Sequence, residues 1–191
     1  VYVKQNMVTS LGNIEKTIPS NIKAGSFQTI ILNYIVGSFG IDEGGSLRIC
    51  FKSASDMGKL QFEDASKDNY FSVITPKGSK FKNSIIAGIR PWRYVINIKI
   101  LERPLYKNEI VTIILGDVNH GSNGWRMQTN SEKNYKIIFQ VDPLSTGKFI
   151  NHKEKLYWSI KSCIGVKWIL QIQSSIIYNY TDKFSLQLIC L

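Results

Sequence analysis

The stretch WRYVINIKIL, residues 92–101, sets the reading of the whole chain. Tyr94, Ile96, Ile98 and Ile100 recur at every second position and share one face, while Arg93, Val95, Asn97 and Lys99 share the other. A period of two belongs to a strand, whose successive side chains point to opposite sides of a sheet; a helix would need apolar positions three and four apart. The branched and aromatic side chains also suit a pleated, half-buried surface. WRYVINIKIL therefore predicts a β-strand with one face turned to a core.

Five further runs share this character: FQTIILNYIV (27–36), SLRICFKSA (46–54), YFSVIT (70–75), EIVTIIL (109–115) and YKIIFQVD (135–142). Clusters of Gly, Pro, Asn, Asp and Ser punctuate them, and no amphipathic helix of convincing length intervenes. The expectation is an all-β fold, an antiparallel β-sandwich of immunoglobulin-like or jelly-roll-like type, occupying residues 1–150. Two long connections interrupt it, DMGKLQFEDASKDN at 56–69 and the segment 116–134. Such loops in a compact β domain either carry function or fold back as Ω-loops that close one end. Residues 151–165 read as a connecting segment or irregular strand, followed by strand-like VKWILQIQ (166–173) and KFSLQLICL (183–191). Because the chain stops inside an apolar strand, 151–191 is expected to be a linker and the cut-short start of a second, immunoglobulin-like β domain.

Composition narrows the classes. The 191 residues are 43% hydrophobic and 12% aromatic, enough to build a core and too apolar for an intrinsically disordered chain. No apolar run approaches the roughly 20 residues that span a bilayer, and no charged-then-apolar leader opens the sequence. Localisation stays open. Cys50, Cys163 and Cys190 are an odd number, widely spaced among apolar neighbours, as buried inert thiols would be. The net charge of +10 comes mainly from lysines spread along the chain, densest at PKGSKFK (76–82). Without a recognition motif, that charge supports general electrostatic attraction and no specific nucleic-acid binding.

Residue 116 onward, GDVNHGSNGWRMQT, gathers the richest chemistry: Asp117, His120, Trp125, Arg126 and Gln128. A zinc site is not expected, since His120 and His152 are the only histidines and no cysteine pair accompanies them. Ca2+ is the one cofactor for which oxygen ligands are present, through Asp117 and Asn119 or through Glu63, Asp64 and Asp68. The closing bidentate carboxylate of a calcium loop is missing, and turn formation explains the same residues. No G-x-S-x-G elbow flags a serine nucleophile, and a pair of catalytic carboxylates cannot be read from one sequence. NYT at 179–181 fits a glycosylation acceptor only in a eukaryotic secretory context.

Arginine is scarce here: Arg48, Arg90, Arg93, Arg103 and Arg126 are the full set. Its planar fork does what lysine cannot. One reading pairs these arginines with Asp56, Asp64 or Asp117, tying the long loops to the sheet. The other makes them, with Trp92 and Trp125, the lining of a pocket for a carbohydrate or an anionic small molecule.

Taken together, GIDEGG (40–45), FKSASDMG (51–58), QFED (61–64), NY (69–70), RPW (90–92), GSNGWRMQT (121–129) and VDPLSTGKF (141–149) resemble the N-terminal β region of the DUF3604 family. That is a group of large, mostly bacterial and marine proteins of unassigned function. The similarity spans residues 24–150 and departs at Met57, where the family has Trp, and at Ala65 and Asn123, where it has Pro. The family continues into a C-terminal domain similar to metal-dependent hydrolases of the polymerase-and-histidinol-phosphatase type. The resemblance implies that any catalytic role lies there, and that those missing domains of the same polypeptide are this region's partners. The expected role is a non-catalytic accessory, binding or structural module. The alternative is a hydrolase-type or carbohydrate- or anion-binding site at the two-loop end. Its candidate residues are Asp56, Gln61, Asp64, Arg90, Trp92, Asp117, His120, Trp125, Arg126 and Gln128. No catalytic or metal-ligating residue is assigned, and Arg126 with Asp117 is expected to anchor the second loop.

Overall fold

The computed structural model describes residues 10–162, together with the backbone of Ile169–Leu170 and Leu188–Ile189. In chain order the strands are β1 (Gly12–Thr17), β2 (Ile22–Lys23), β3 (Phe27–Gln28), β4 (Ile30–Val36), β5 (Ser46–Lys52), β6 (Phe71–Ile74) and β7 (Lys80–Ala87). They continue as β8 (Trp92–Leu101), β9 (Ile110–Leu115), β10 (Trp125–Arg126), β11 (Glu132–Asp142), β12 (Ile150–Asn151) and β13 (Leu156–Lys161).

Two sheets make the sandwich. The smaller runs β1-β4-β9-β6, and the larger runs β2-β13-β11-β5-β8-β7 with β12 on the edge of β11. All pairings in both are antiparallel except the short β13–β2 contact. Both sheets send alternate side chains into one core: Ile30, Leu32, Tyr34 and Val36 from β4, and Val111, Ile113 and Leu115 from β9. Facing them from the large sheet are Leu47, Ile49 and Phe51 of β5 and Tyr135, Ile137, Phe139 and Val141 of β11. β8 behaves as its period-two pattern requires, with Tyr94, Ile96, Ile98 and Ile100 in the core. Each such aliphatic side chain contributes about 1.5–3 kcal/mol on burial. Stacked Tyr34–Phe139 and Phe51–Tyr94 pairs, with centroids 5.4 Å and 4.7 Å apart, join the layers and the strands.

Each of the six strand-like runs holds a strand, with FQTIILNYIV divided between β3 and β4. Of the strands outside those runs, the two longest before residue 150 are β1 and β7. GNIEKT (β1) buries only Ile14, and KFKNSIIA (β7) lies at the end of the large sheet, where only part of each side chain is covered. Edge strands carry lysine and partial burial because their outer side faces water, which blurs the alternation. The densest lysine cluster thus opens an edge strand.

Residues 151–165 were expected as a connection or irregular strand; residues 156–161 form the regular strand β13, placing Leu156, Trp158 and Ile160 in the core. The sandwich therefore extends past residue 150 to Lys161. Of the later runs, Ile169–Leu170 pairs antiparallel with Leu188–Ile189, and the remainder of 166–173 and 183–191 lies outside the described residues.

Candidate functional site

The two long loops zip to each other. Gly58 N donates to the Arg126 carbonyl (2.9 Å) and Asn69 N to the Gly124 carbonyl (2.8 Å), while Met127 N reaches Ser26 O beside β3 (2.8 Å). Local chemistry makes this fit possible. Asn69 adopts a left-handed φ of 64° and turns its Oδ1 onto the Arg126 backbone N–H at 2.9 Å. Gly116, at φ 77°, ends β9 where any Cβ would lie 2.3 Å from both Gln28 O and Trp125 N. Glycine is the residue that allows the chain to pass there.

Trp125 lies under this lid, fully buried. Its indole N–H donates to the Gly58 carbonyl at 2.7 Å, and its ring meets Phe51 and Trp158 edge-on. It is a core residue with no face open for stacking on a sugar. Gln128 is equally buried. Its Nε2 donates to Glu132 Oε2 (2.9 Å) and Asn130 O (3.2 Å), and its Oε1 accepts from Ser55 Oγ (2.8 Å). Glu132 closes the network through an ion pair with Lys52, whose ammonium sits over the Tyr135 ring. A buried amide with its donors and acceptors met specifies one packing arrangement.

Arg126 departs from expectation. Its Nη2 donates to the main-chain carbonyl of Asp56 at 2.6 Å, and among the described residues no ion pair joins it to Asp117. Asp117 is buried at the end of β9, where its carboxylate accepts from Ser72 Oγ and Asn119 N. The reason is register: Phe71 of β6 pairs with Leu115, so Ser72 and the Tyr70 carbonyl meet residue 117 as it leaves the sheet. The loop is anchored, then, by each residue separately. Asp56 turns its carboxylate to Thr129, which donates through Oγ1 (2.7 Å) and N (3.1 Å). Those bonds, first the hydroxyl, hold the Asp56 carboxyl below the usual carboxylate range.

The remaining candidates scatter. Gln61 folds on its own turn, donating to Asp64 O and accepting from the Glu63 and Asp64 amides. The Asp64 carboxylate accepts from Ser66 Oγ and N, and these bonds hold it below its usual range. His120 is exposed at the tip of the second loop. Arg90 is exposed and precedes Pro91 across a cis peptide bond, and Trp92 is half-buried at the start of β8. The calcium-type oxygens are similarly dispersed: Asp68 accepts from Asn123 N and Nδ2, away from the Asp64 turn partners. Among the described residues no group of three or more His, Cys, Asp or Glu is placed to hold a metal ion. The structure thus gathers Asp56, Trp125, Arg126 and Gln128 into one folded joint and leaves Gln61, Asp64, Arg90, Trp92, Asp117 and His120 apart from it.

Sequence reasoning overlooked Asn69 and Thr129 of this joint, and expected the arginines that tie the loops to the sheet to do so through aspartates. Arg93, from the decisive strand itself, donates through Nη1 to both the Ser55 and Met57 carbonyls at 3.0 Å, fastening the first loop to β8. Asn69 and Thr129 complete it. A left-handed Asn after an Asp is a recognisable turn signal; the hydrogen-bond partners of Arg93 and Thr129 have no local signature.

The second histidine, His152, is buried between Tyr34 and Phe139. Its Nδ1 accepts from Glu154 N (3.1 Å), so Nε2 donates to Gly12 O (3.2 Å). Burial holds its pKa below the ordinary 6.5, as suits a neutral ring tying β12 to β1. Burial pushes the Cys50 thiol up to about 11, which makes it inert as a nucleophile.

No protein-family model and no curated protein sequence matches this chain. Among the described residues no helix is long and apolar enough to cross a membrane.

Proposed function

We propose that this chain is a non-catalytic β-sandwich module, an accessory binding or structural part of a larger hydrolase-type protein. The resemblance to the N-terminal β region of the DUF3604 family supplies the larger context, with further domains of the same polypeptide as its partners. One observation carries the non-catalytic reading: Arg126 spends its Nη2 on the Asp56 main-chain carbonyl while Asp56 spends its carboxylate on Thr129. Polar groups that a reaction would need are engaged in holding one loop to the other. The histidine at the tip, His120, is exposed, and among the described residues no group of three or more His, Cys, Asp or Glu that could hold a metal ion includes it.

The test pairs turnover with stability. The chain is assayed against p-nitrophenyl phosphate, acetate and glycosides, alongside Asp56→Asn, His120→Ala and Arg126→Ala. The expected result is no turnover, a midpoint lowered by several degrees in Arg126→Ala, and an unchanged midpoint in His120→Ala. Turnover that is abolished by His120→Ala or Asp56→Asn at unchanged melting temperature overturns the reading.

A further inference from the structure

The outer face of the large sheet holds a different arrangement of polar groups. Register places Ser84 of β7 opposite Asn97 of β8, Asn97 opposite Arg48 of β5, Arg48 opposite Gln140 of β11, and Gln140 opposite Asn151 of β12. Five polar side chains therefore form one transverse row across five strands, on the side away from the core. The row is preorganised: Arg48 Nε donates to Asn97 Oδ1 (2.9 Å) and Gln140 Nε2 to Asn151 Oδ1 (2.9 Å). The Phe149 ring packs on the Arg48 guanidinium, 3.4 Å from its centroid, and fixes its plane.

Beside this row lies a second, in which Lys82 stands directly opposite Lys99 and Lys99 opposite Ser46. Like charges facing each other across two strands cost stability. Both lysines are exposed, and among the described residues no carboxylate lies within ion-pair distance of Lys82, Lys99 or Arg48. The carboxylate nearest in register, Asp142, is buried and already accepts from Thr146 N, Thr146 Oγ1 and Gly147 N. Three cations and a ladder of amides thus share one outer face without an ion pair among the described residues, Asp142 acting on Arg48 only from beyond ion-pair distance.

We propose that this face binds an acidic polysaccharide lying across the strands, its carboxylate or sulfate groups between Arg48, Lys99 and Lys82 and its hydroxyls along Ser84, Asn97 and Gln140. Charge complementarity selects an anionic occupant. The amides and hydroxyl select a polyhydroxyl chain through the capacity left beyond their own bonds: Asn97 keeps its Nδ2 donors, and Gln140, whose Nε2 donates to Asn151 and whose Oε1 accepts from the Cys50 thiol, keeps a second N–H and a second lone pair. Strands repeat at about 4.8 Å, close to the length of one pyranose in an extended chain and shorter than the phosphate spacing of an extended polynucleotide. The ring at the row, Phe149, has one face taken by the Arg48 guanidinium, whereas single-stranded bases stack on successive open aromatic platforms. The inference rests on the reading of the chain as a binding module, and it names the surface and the ligand class.

Titration calorimetry of the full chain with a hexamer of galacturonate tests it, with a neutral galactan hexamer and a single-stranded DNA hexamer as comparisons. Binding of the galacturonate, absent for the galactan and weaker for the DNA, is the expected result. Lys82→Gln with Lys99→Gln should weaken it by about tenfold, whereas Lys107→Gln with Lys153→Gln, the same charge change elsewhere, should leave it unchanged. Arg48→Lys, which keeps the charge and loses the stacked fork, should weaken it without unfolding the chain. No binding, an equal loss in the Lys107/Lys153 pair, or tighter binding of the DNA each overturns the proposal. Failure here would leave the turnover test untouched, so the loss of this ligand and the loss of the non-catalytic reading are separable.

Discussion

Arg126 and Arg48 carry the same side chain in regions built on opposite terms. At the two-loop joint Arg126 Nη2 ends on the Asp56 main-chain oxygen, and Trp125 and Gln128 are sealed beneath. On the outer sheet face Arg48 is braced by Asn97 and Phe149 yet forms no ion pair among the described residues, with Asp142 acting on it from farther off and two facing lysines beside it. The first region consumes its polar groups in holding the fold together; the second positions polar groups and leaves their charge outward. Loops rich in Asp, Asn, Arg and Trp draw attention in a sequence, but a loop that must close a sandwich end needs those residues for itself. A sheet, whose backbone is already satisfied by its neighbours, leaves the side chains of its outer face unneeded for folding.

The sharpest way to break this contrast is Trp125→Ala. Loss of a fully buried indole and its bond to Gly58 should cost about 3–5 kcal/mol in urea unfolding. A cost below that of an exposed substitution would mean the joint is not a core. Gly116→Ala comes next, at about 3 kcal/mol, because its Cβ would overlap Gln28 O and Trp125 N at a left-handed φ. Gly121→Ala in the same loop, with left-handed φ and open space around it, should cost only about 1 kcal/mol. Equal costs at the two glycines would show that strain and not packing governs the loop.

His152 gives a pH-dependent test on the sandwich side of the comparison. An unfolded chain protonates His152 near 6.5, and burial keeps the folded value lower. Between the two the unfolded state binds the extra proton. Stability from the neutral ring is therefore complete above about 6.5 and falls as pH drops through 6.5 toward the folded value. Urea midpoints at pH 7.5, 6 and 5 should decline for the native chain more steeply than for His152→Gln. The smallest effect is expected on the outer face: Lys82→Gln should change stability by no more than about 0.5 kcal/mol, in the stabilising direction, since it relieves the pair with Lys99. A loss of several kcal/mol there would show that this face, too, serves the fold.

Much of the fold was legible, and for a specific reason. β4 and β9 each bury one face, and β8 and β11 do so apart from Val95 and Asp142, so the alternation of Ile, Val, Tyr and Phe with polar residues records the sheet directly. β1 and β7 escaped because edge strands bury only part of each residue. β13 escaped because Leu156, Trp158 and Ile160 are separated by residues as mixed as Tyr157 and Ser159, inside a segment that began with polar turns. The candidate site was legible in its members and not in its partnerships. Asp117 and Arg126 are both anchors, yet Asp117 meets Ser72 and Arg126 meets Asp56.

By itself the sequence determined the strands that bury a whole face, such as β4 and β9, since a strand's periodicity is a local property of side-chain burial. It also marked which loops were long, which arginines were rare, and that His120 had no neighbouring ligand set. Only the tertiary structure decided that Trp125 and Gln128 belong to the interior, and that Ser84, Asn97, Arg48, Gln140 and Asn151 stand in one row. Such a row is set by the register between strands far apart in the chain. Register depends on how both sheets bury their faces together, which no single stretch of sequence encodes.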